Sequence, residues 1–225
     1  MGLLNMRLKE IGSYSLSKVF TLLSLFVLTS CESIYLETIS SIRSFSQGNN
    51  LITDKVLELK YASLMASIND GQESILILAY DDNDKLTWVS ADNTKIIMKY
   101  GKVVETIGLN NNINTINFPN VNSIFQYLQS NKFYDTNYFV QFSNPFTKLL
   151  SVKSTFKIED ITEFSHSITK KIDRVFLIKE EVTIDQISWS YTNYYWVTAE
   201  GDTLRSKQMI APSVKLRFEV LKRYK

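Results

Sequence analysis

The chain is poor in the residues that build metal centres and covalent cross-links. Its 225 residues include one cysteine, Cys31, and one histidine, His166. A lone cysteine excludes an intrachain disulfide framework, a Cys-based zinc site and an iron–sulfur cluster. One histidine argues against a His-rich metal site within a single chain. Only three Pro and seven Gly are present, which excludes collagen-like and proline-rich low-complexity classes. The formal charge is +2, from 25 basic and 23 acidic residues. With 44% hydrophobic and 21% charged residues, the chain reads as globular rather than disordered. The length fits one large β domain or two small ones. Composition alone does not say what the protein does.

What is present at the N-terminus says more. Arg7, Lys9 and Lys18 form a basic leader, offset only by Glu10. Val19–Leu28 follows without a charge. That run is too short for the roughly 20 apolar residues of a membrane-spanning helix, and it has the length of the apolar region of a signal peptide. Then come Thr29, Ser30 and the sole cysteine. Leu28-Thr29-Ser30-Cys31 resembles the bacterial lipobox, which implies cleavage before Cys31 and acylation of its thiol and new amino terminus. The alternative is an ordinary secretory signal with a chance cysteine, or a small buried thiol. Several acyl chains, each burying CH₂ groups at about 0.8 kcal/mol apiece, anchor a protein essentially permanently.

Removing residues 1–30 takes away three basic residues and one acid, and leaves 22 of each sign. Net charge therefore gives no support to nucleic-acid binding. Residue 32 is Glu rather than the Asp that resemblance to enteric sorting signals associates with inner-membrane retention. This favours the outer membrane, with the domain facing the periplasm. Residues 31–52 read as the lipidated Cys and a Ser-rich tether, with Tyr35, Ile39 and Ile42 spaced for a short amphipathic helix. Thr53 is placed to cap a second short helix at Asp54–Lys60.

From Tyr61 the periodicity becomes that of strands. Asn69-Asp70-Gly71 is a hairpin signal between Tyr61–Ile68 and Ser74–Tyr80. Strands are expected at Lys85–Ser90, Thr94–Tyr100 and Lys102–Ile107, with Gly101 in the last turn. Ile75–Ala79 is apolar on both faces and predicts a covered strand. Asn110–Asn122, with seven Asn, predicts a long polar loop, followed by a surface helix at Val121–Ser130 with Ile124, Tyr127 and Leu128 on one side. Further strands are expected at Tyr138–Phe142, Ser151–Ile158, Arg174–Ile184, Ser188–Thr198, Thr203–Ile210 and Val214–Leu221. About ten strands and few helices make residues 53–225 a single, mainly antiparallel all-β domain, either a closed or nearly closed barrel or a β-sandwich. Closure would also protect so many apolar strands from edge-to-edge aggregation.

Two segments carry a resemblance. The first runs through Tyr61-Ala62-Ser63, Ile77–Asp81, Trp88–Asp92 and Tyr100-Gly101-Lys102-Val103-Val104-Glu105-Thr106. The second holds Trp189, Asn193-Tyr194-Tyr195-Trp196-Val197, Glu200-Gly201 and Arg205–Gln208. Together with the lipobox, these resemble the YjbF/GfcB-type lipoproteins, a family associated with group 4 capsule and related exopolysaccharide production. The matching parts are Tyr61–Asn112 and Arg174–Tyr224; Ile113–Asp173 shows no counterpart. The resemblance implies a lipid-anchored, periplasm-facing outer-membrane protein with a mainly antiparallel β-barrel. It would act in polysaccharide secretion beside other envelope proteins, including an outer-membrane barrel. It brings no catalytic motif and no cofactor.

The residues themselves nominate little chemistry. Trp189, Tyr191 and Tyr195 share one face of a strand, while Tyr194 and Trp196 point to the other. The trio is the candidate glycan contact, because flat rings with polar tips stack on sugars and hydrogen-bond to them. Core packing is the competing reading for each, and more so for Trp88. Asp81, Asp82 and Asp84 do not fit calcium-loop spacing, since Lys85 occupies a ligand position, and they read as a solvated turn. His166 has no nucleophile elbow near it and reads as a surface histidine. Glu159, Asp160 and Glu163 read as a solvated acidic face. A non-enzymatic lipoprotein assisting capsule or exopolysaccharide export or assembly is the expectation. The rivals are a polysaccharide-modifying enzyme using carboxylates in a barrel mouth, and a scaffold that docks an outer-membrane barrel without touching sugar.

Overall fold

A computed structural model describes residues 59–82, 84–119 and 121–224. The expected signal peptide, Cys31 anchor, tether and first short helix lie outside the described residues. So does the second helix apart from Leu59 and Lys60, which are not helical.

Twelve strands form one closed antiparallel barrel: β1 (Ser63–Ile68), β2 (Ser74–Asp82), β3 (Lys85–Val89), β4 (Lys95–Lys99), β5 (Lys102–Ile107), β6 (Ile113–Ile116), β7 (Tyr134–Phe142), β8 (Leu150–Ser165), β9 (Ile172–Ile184), β10 (Trp189–Val197), β11 (Thr203–Ala211) and β12 (Val214–Lys222). Each strand pairs with its neighbours in sequence, and β1 pairs with β12 to close the ring. The barrel reading therefore holds over the sandwich. Six strand pairs carry a register shift, including Ile97/Met98 and Ile158/Asp160, and such bulges supply the bending that closure requires.

The first turn shows how local chemistry sets the register. Asn69 and Asp70 both have positive φ, as a two-residue primed turn demands, and Gly71 N–H donates to Ile68 O at 2.9 Å. The left-handed residues are thus the Asn and the Asp, which tolerate that region. The Asn69 side chain then clamps the turn to the β11–β12 turn through Ser213 O (3.0 Å) and Lys215 N–H (2.8 Å). At the β4–β5 turn the glycine is required. Gly101 has φ +80°, and a Cβ there would sit 2.3 Å from Thr203 Oγ1.

Three expectations need correction. The Asn-rich stretch is not all loop, because it contains β6, whose Ile113 is buried opposite Phe142. Asn is a poor strand former, and here the burial of one apolar residue outweighs that preference. The last three long strands of the middle also extend further than expected, with β8 and β9 running as a hairpin from Leu150 to Ile184. Its charged outer residues Glu159, Asp160 and Glu163 are exposed, which hid the strand from an apolar count. Finally, the helix α1 (Val121–Leu128) keeps one face exposed, as expected of a surface helix, but Tyr127 is not on its inner side. Ile124, Phe125 and Leu128 are buried against Phe156, Ile178, Tyr195 and Val197, while Tyr127 is exposed and meets Tyr134 edge-on at 5.5 Å.

The inner face is the core. Leu64, Leu76, Trp88, Ile96, Met98, Tyr138, Val140, Phe142, Val152, Val182, Ile184, Leu216 and Phe218 make one continuous apolar cluster. A barrel of about eight strands is filled by ordinary side chains, so twelve leave room to fill. Large aromatics, α1 and a polar knot occupy it.

Candidate functional site

The knot is centred on Glu180, an inward residue of β9 flanked by Ile178 and Val182. Its carboxylate is fully buried and accepts from five side chains. Asn193 Nδ2 and Tyr195 OH donate to Oε2 at 2.6 Å each. Ser154 Oγ and Tyr138 OH donate to Oε1 at 2.9 and 3.1 Å. Lys102 Nζ reaches across from β5 to both oxygens, at 2.8 and 3.1 Å. The ammonium also lies 5.5 and 5.6 Å from the ring centres of Phe118 and Tyr138, a favourable placement for a desolvated cation. Gln208 makes a second strut. Its Nε2 donates to Gly101 O at 2.7 Å, and its Oε1 accepts from Val103 N–H at 3.0 Å.

The electrostatics follow from this geometry. Burial works to raise the Glu180 pKa, but the Lys102 charge and the hydrogen bonds from Asn193, Lys102 and Tyr195 outweigh it and hold the carboxyl below its ordinary value. Burial first, and then the Glu180 charge, push the Tyr138, Tyr191 and Tyr195 hydroxyls upward, so all three stay protonated. A saturated carboxylate with a fixed counterion is a structural device. Nothing in the knot is free to take or give a proton to a substrate.

The structure therefore places the predicted aromatic trio on the lumen side, as the strand period required. Tyr195 is buried and bound to Glu180. Trp189 and Tyr191 are half-buried, tilted against each other with ring centres 4.2 Å apart, and Trp189 meets Phe142 edge-on at 5.9 Å. Trp88 is in the core. His166 is not a free surface residue: it lies 3.0 Å from Asp173 and edge-on to Phe164. Asp81 and Asp82 end β2, Asp84 has φ +68° in the turn that follows, and Tyr100 OH donates to Asp84 at 2.6 Å. Among the described residues no group of three or more His, Cys, Asp or Glu is arranged to hold a metal ion.

Two concavities open at the barrel ends. One, of about 460 Å³, is lined by the carboxylate Asp92 and the neutral polar residues Ser67, Asn69, Ser90, Thr94 and Asn110 over an apolar floor. The other, of about 380 Å³, gathers Asp81, Asp84, Glu200 and Asp202 around Tyr100 and Arg223. Glu200 is held below its ordinary pKa, first by a hydrogen bond with Thr198, which is the opposite of what a general acid needs. The outer wall is water-facing. Lys157, Lys179, Lys207 and Arg217 stand mid-strand on neighbouring strands. Each would cost about 2–4 kcal/mol at a bilayer midplane.

Residues 32–221 match the family described as group 4 capsule polysaccharide lipoprotein gfcB, YjbF. The chain belongs to this family. The matched range takes in Ile113–Asp173, the stretch without a counterpart by inspection. Among curated relatives, the uncharacterized lipoprotein GfcB of Escherichia coli K12 is 24% identical over 203 residues, 86% of this chain and 92% of that protein. The uncharacterized lipoprotein YjbF of the same organism is 23% identical over 166 residues, 72% and 76% of the two chains. The crystal structure of the hypothetical lipoprotein YmcC from E. coli K12 superposes with a TM-score of 0.64 at 20% identity, covering 83% of this chain and 96% of that one. That likeness supports the barrel fold of this YjbF-family chain.

The Lys102–Glu180 knot is the feature the residue pattern did not bring forward. Its signal was nevertheless present: a Glu in the apolar phase of a strand whose other inward residues are Ile178, Val182 and Ile184.

Proposed function

We propose that this chain is an acyl-anchored outer-membrane lipoprotein, facing the periplasm, that assists export or assembly of capsule or exopolysaccharide without reacting on it. The observation that carries this reading is the sealed, water-facing barrel of a capsule-lipoprotein family: both oxygens of the lumen carboxylate are occupied and the wall is polar. Such a body acts through its surface, on polymer or on partner proteins. Cys31 supplies the anchor, and the segment after it lets the domain meet an outer-membrane barrel or other export proteins in two dimensions. Trp189 and Tyr191 are only partly buried, so within the trio they are the residues left to meet sugar. Tyr195 is not, because its ring is buried and its hydroxyl is held.

Deleting the gene should lower surface polysaccharide, and Cys31→Ala should reproduce part of that loss. Normal polymer in both strains would refute the proposal. The acidic concavity around Asp84 and Asp202 is where an enzymatic reading would have to reside. Shortening or modification of purified polymer by the chain would establish that reading instead.

A further inference from the structure

The outer wall of β8–β12 carries a line of like charges set by register. Lys157 is paired with Lys179, Lys179 with Tyr194, Tyr194 with Lys207 and Lys207 with Arg217. Four cations and one aromatic thus stand side by side on five adjacent strands. At roughly 4.8 Å per strand the line is about 19 Å long. Like charges directly opposite each other destabilise a sheet, so the Lys157–Lys179 and Lys207–Arg217 pairings work against folding rather than for it.

The counter-charges lie to the sides. Lys157 pairs with Glu159 (3.2 Å), Lys179 with Glu181 (2.6 Å) and Arg217 with Glu73 (2.8 Å), and these six side chains are 21–55% exposed. Such pairs are weak and exchangeable. Lys207 forms no ion pair among the described residues; its ammonium lies 5.8 Å from the centre of the Trp196 ring. At the β11–β12–β1 end the line runs into a depression of about 140 Å³ where Arg205, Lys207 and Arg217 converge with Ser167 and with two carboxylates, Glu219 paired to Arg205 and Glu73 paired to Arg217, which leaves Lys207 as its cation without a counter-charge among the described residues. Ser67 also lines it, and its buried hydroxyl has no hydrogen-bond partner.

We propose that this strip binds an anionic polysaccharide, laid across the strands with its acidic groups over Lys179, Lys207 and Arg217 and its rings against Tyr194 and Trp196. A linear polymer fits better than a bilayer surface. A chain one residue wide can seat its acidic groups on the cations in exchange for their glutamate partners, whereas a flat anionic membrane would press on Glu159, Glu181 and Glu73 all at once. The inference deepens the polysaccharide reading above and rests on it.

The test uses the full lipidated chain in detergent, with polygalacturonate as acidic polymer, dextran as neutral polymer and phosphatidylglycerol vesicles as membrane. Binding is read by titration calorimetry at two salt concentrations. The wild-type chain should bind polygalacturonate over dextran, more weakly at high salt. Lys179→Glu/Lys207→Glu should bind about tenfold more weakly or worse, while Lys132→Glu/Lys148→Glu, with the same charge change, should match the wild type. Lys179→Gln/Lys207→Gln gives the same reading should charge reversal unfold the barrel. The proposal is overturned by absence of preference for the acidic polymer, by equal loss in the strip and control variants, or by strip-dependent binding of vesicles but not of polymer. Complementation separates the two levels. Full polysaccharide in a deletion strain refutes the functional reading, whereas lost polysaccharide fully restored by the strip variant refutes the strip alone.

Discussion

The lumen and the outer wall of β8–β12 are built from the same letters, Lys and Glu joined in ion pairs, and they do opposite work. Inside, Lys102 and Glu180 are almost fully buried and share hydrogen bonds with three strands. Outside, Lys157–Glu159 and Lys179–Glu181 are partly exposed pairs that are joined loosely, each also feeling the other's charge. Burial decides the difference. Desolvating a charge costs several kcal/mol and is tolerated only when every lone pair is met, so the inner pair must be saturated and cannot act on a ligand. The outer pairs lose little if a ligand replaces the Glu.

Breaking one half of the inner pair should have the largest effect in the molecule. Glu180→Ala strands the Lys102 charge and should cost about 3–5 kcal/mol, read as a lower denaturant midpoint. Replacing both, in Lys102→Met/Glu180→Leu, should recover much of the loss. A loss below 1 kcal/mol for Glu180→Ala would remove the contrast between the two regions.

A second region sits between the extremes. The β8–β9 hairpin tip is fastened to the wall by Glu219, which accepts from Ser167 N–H and Oγ at 2.6 Å each and from Arg205 at 2.5 Å. Arg205 also stacks 4.4 Å from the Phe164 ring centre. Glu219→Gln should cost about 1.5–3 kcal/mol, as for hydrogen bonds to a charged group, and should raise amide exchange in the hairpin before the rest.

Acid should sharpen the same ranking. Burial raises the Glu180 and Glu219 pKa values, but their cationic and hydrogen-bonding partners pull both below the ordinary 4.5. A depressed folded pKa means that the stabilisation is fully present above pH 4.5 and is lost as pH falls below it, because the unfolded state then binds more protons. Stability should therefore be flat with respect to these two groups above that pH and fall below it, and in Glu180→Gln the fall should be shallower. An equal acid fall in the variant would show that the knot is not the group titrating.

The smallest effect belongs to the wall. Lys179→Ala or Lys157→Ala should change stability by less than about 1 kcal/mol, the range of exposed pairs. A larger loss would make the strip a structural feature.

Much of the fold was legible from the residues. The meander from β1 to β5 and the hairpin at Glu200-Gly201-Asp202 announce themselves through alternation and turn chemistry. The strand period also placed Trp189, Tyr191 and Tyr195 on one face and Tyr194 and Trp196 on the other. What escaped has physical causes. β6 is four residues long and sits inside an Asn-rich run, so its pairing with β5 and β7 is what makes it a strand. The outer half of β8 is polar because water covers it. Lys102 and Glu180 lie 78 residues apart, and only barrel closure brings them together. The wall strip is likewise a matter of register, which no single strand reveals.

Lysine labelling with an acetylating ester, read by mass spectrometry, tests both regions at once. In the native chain, Lys157, Lys179 and Lys207 should label while Lys102 stays unmodified, and adding polygalacturonate should protect the three wall lysines. Labelling of Lys102 at the rate of the wall lysines, or wall labelling unchanged by the polymer, would contradict the account of a sealed barrel that works through its outer surface.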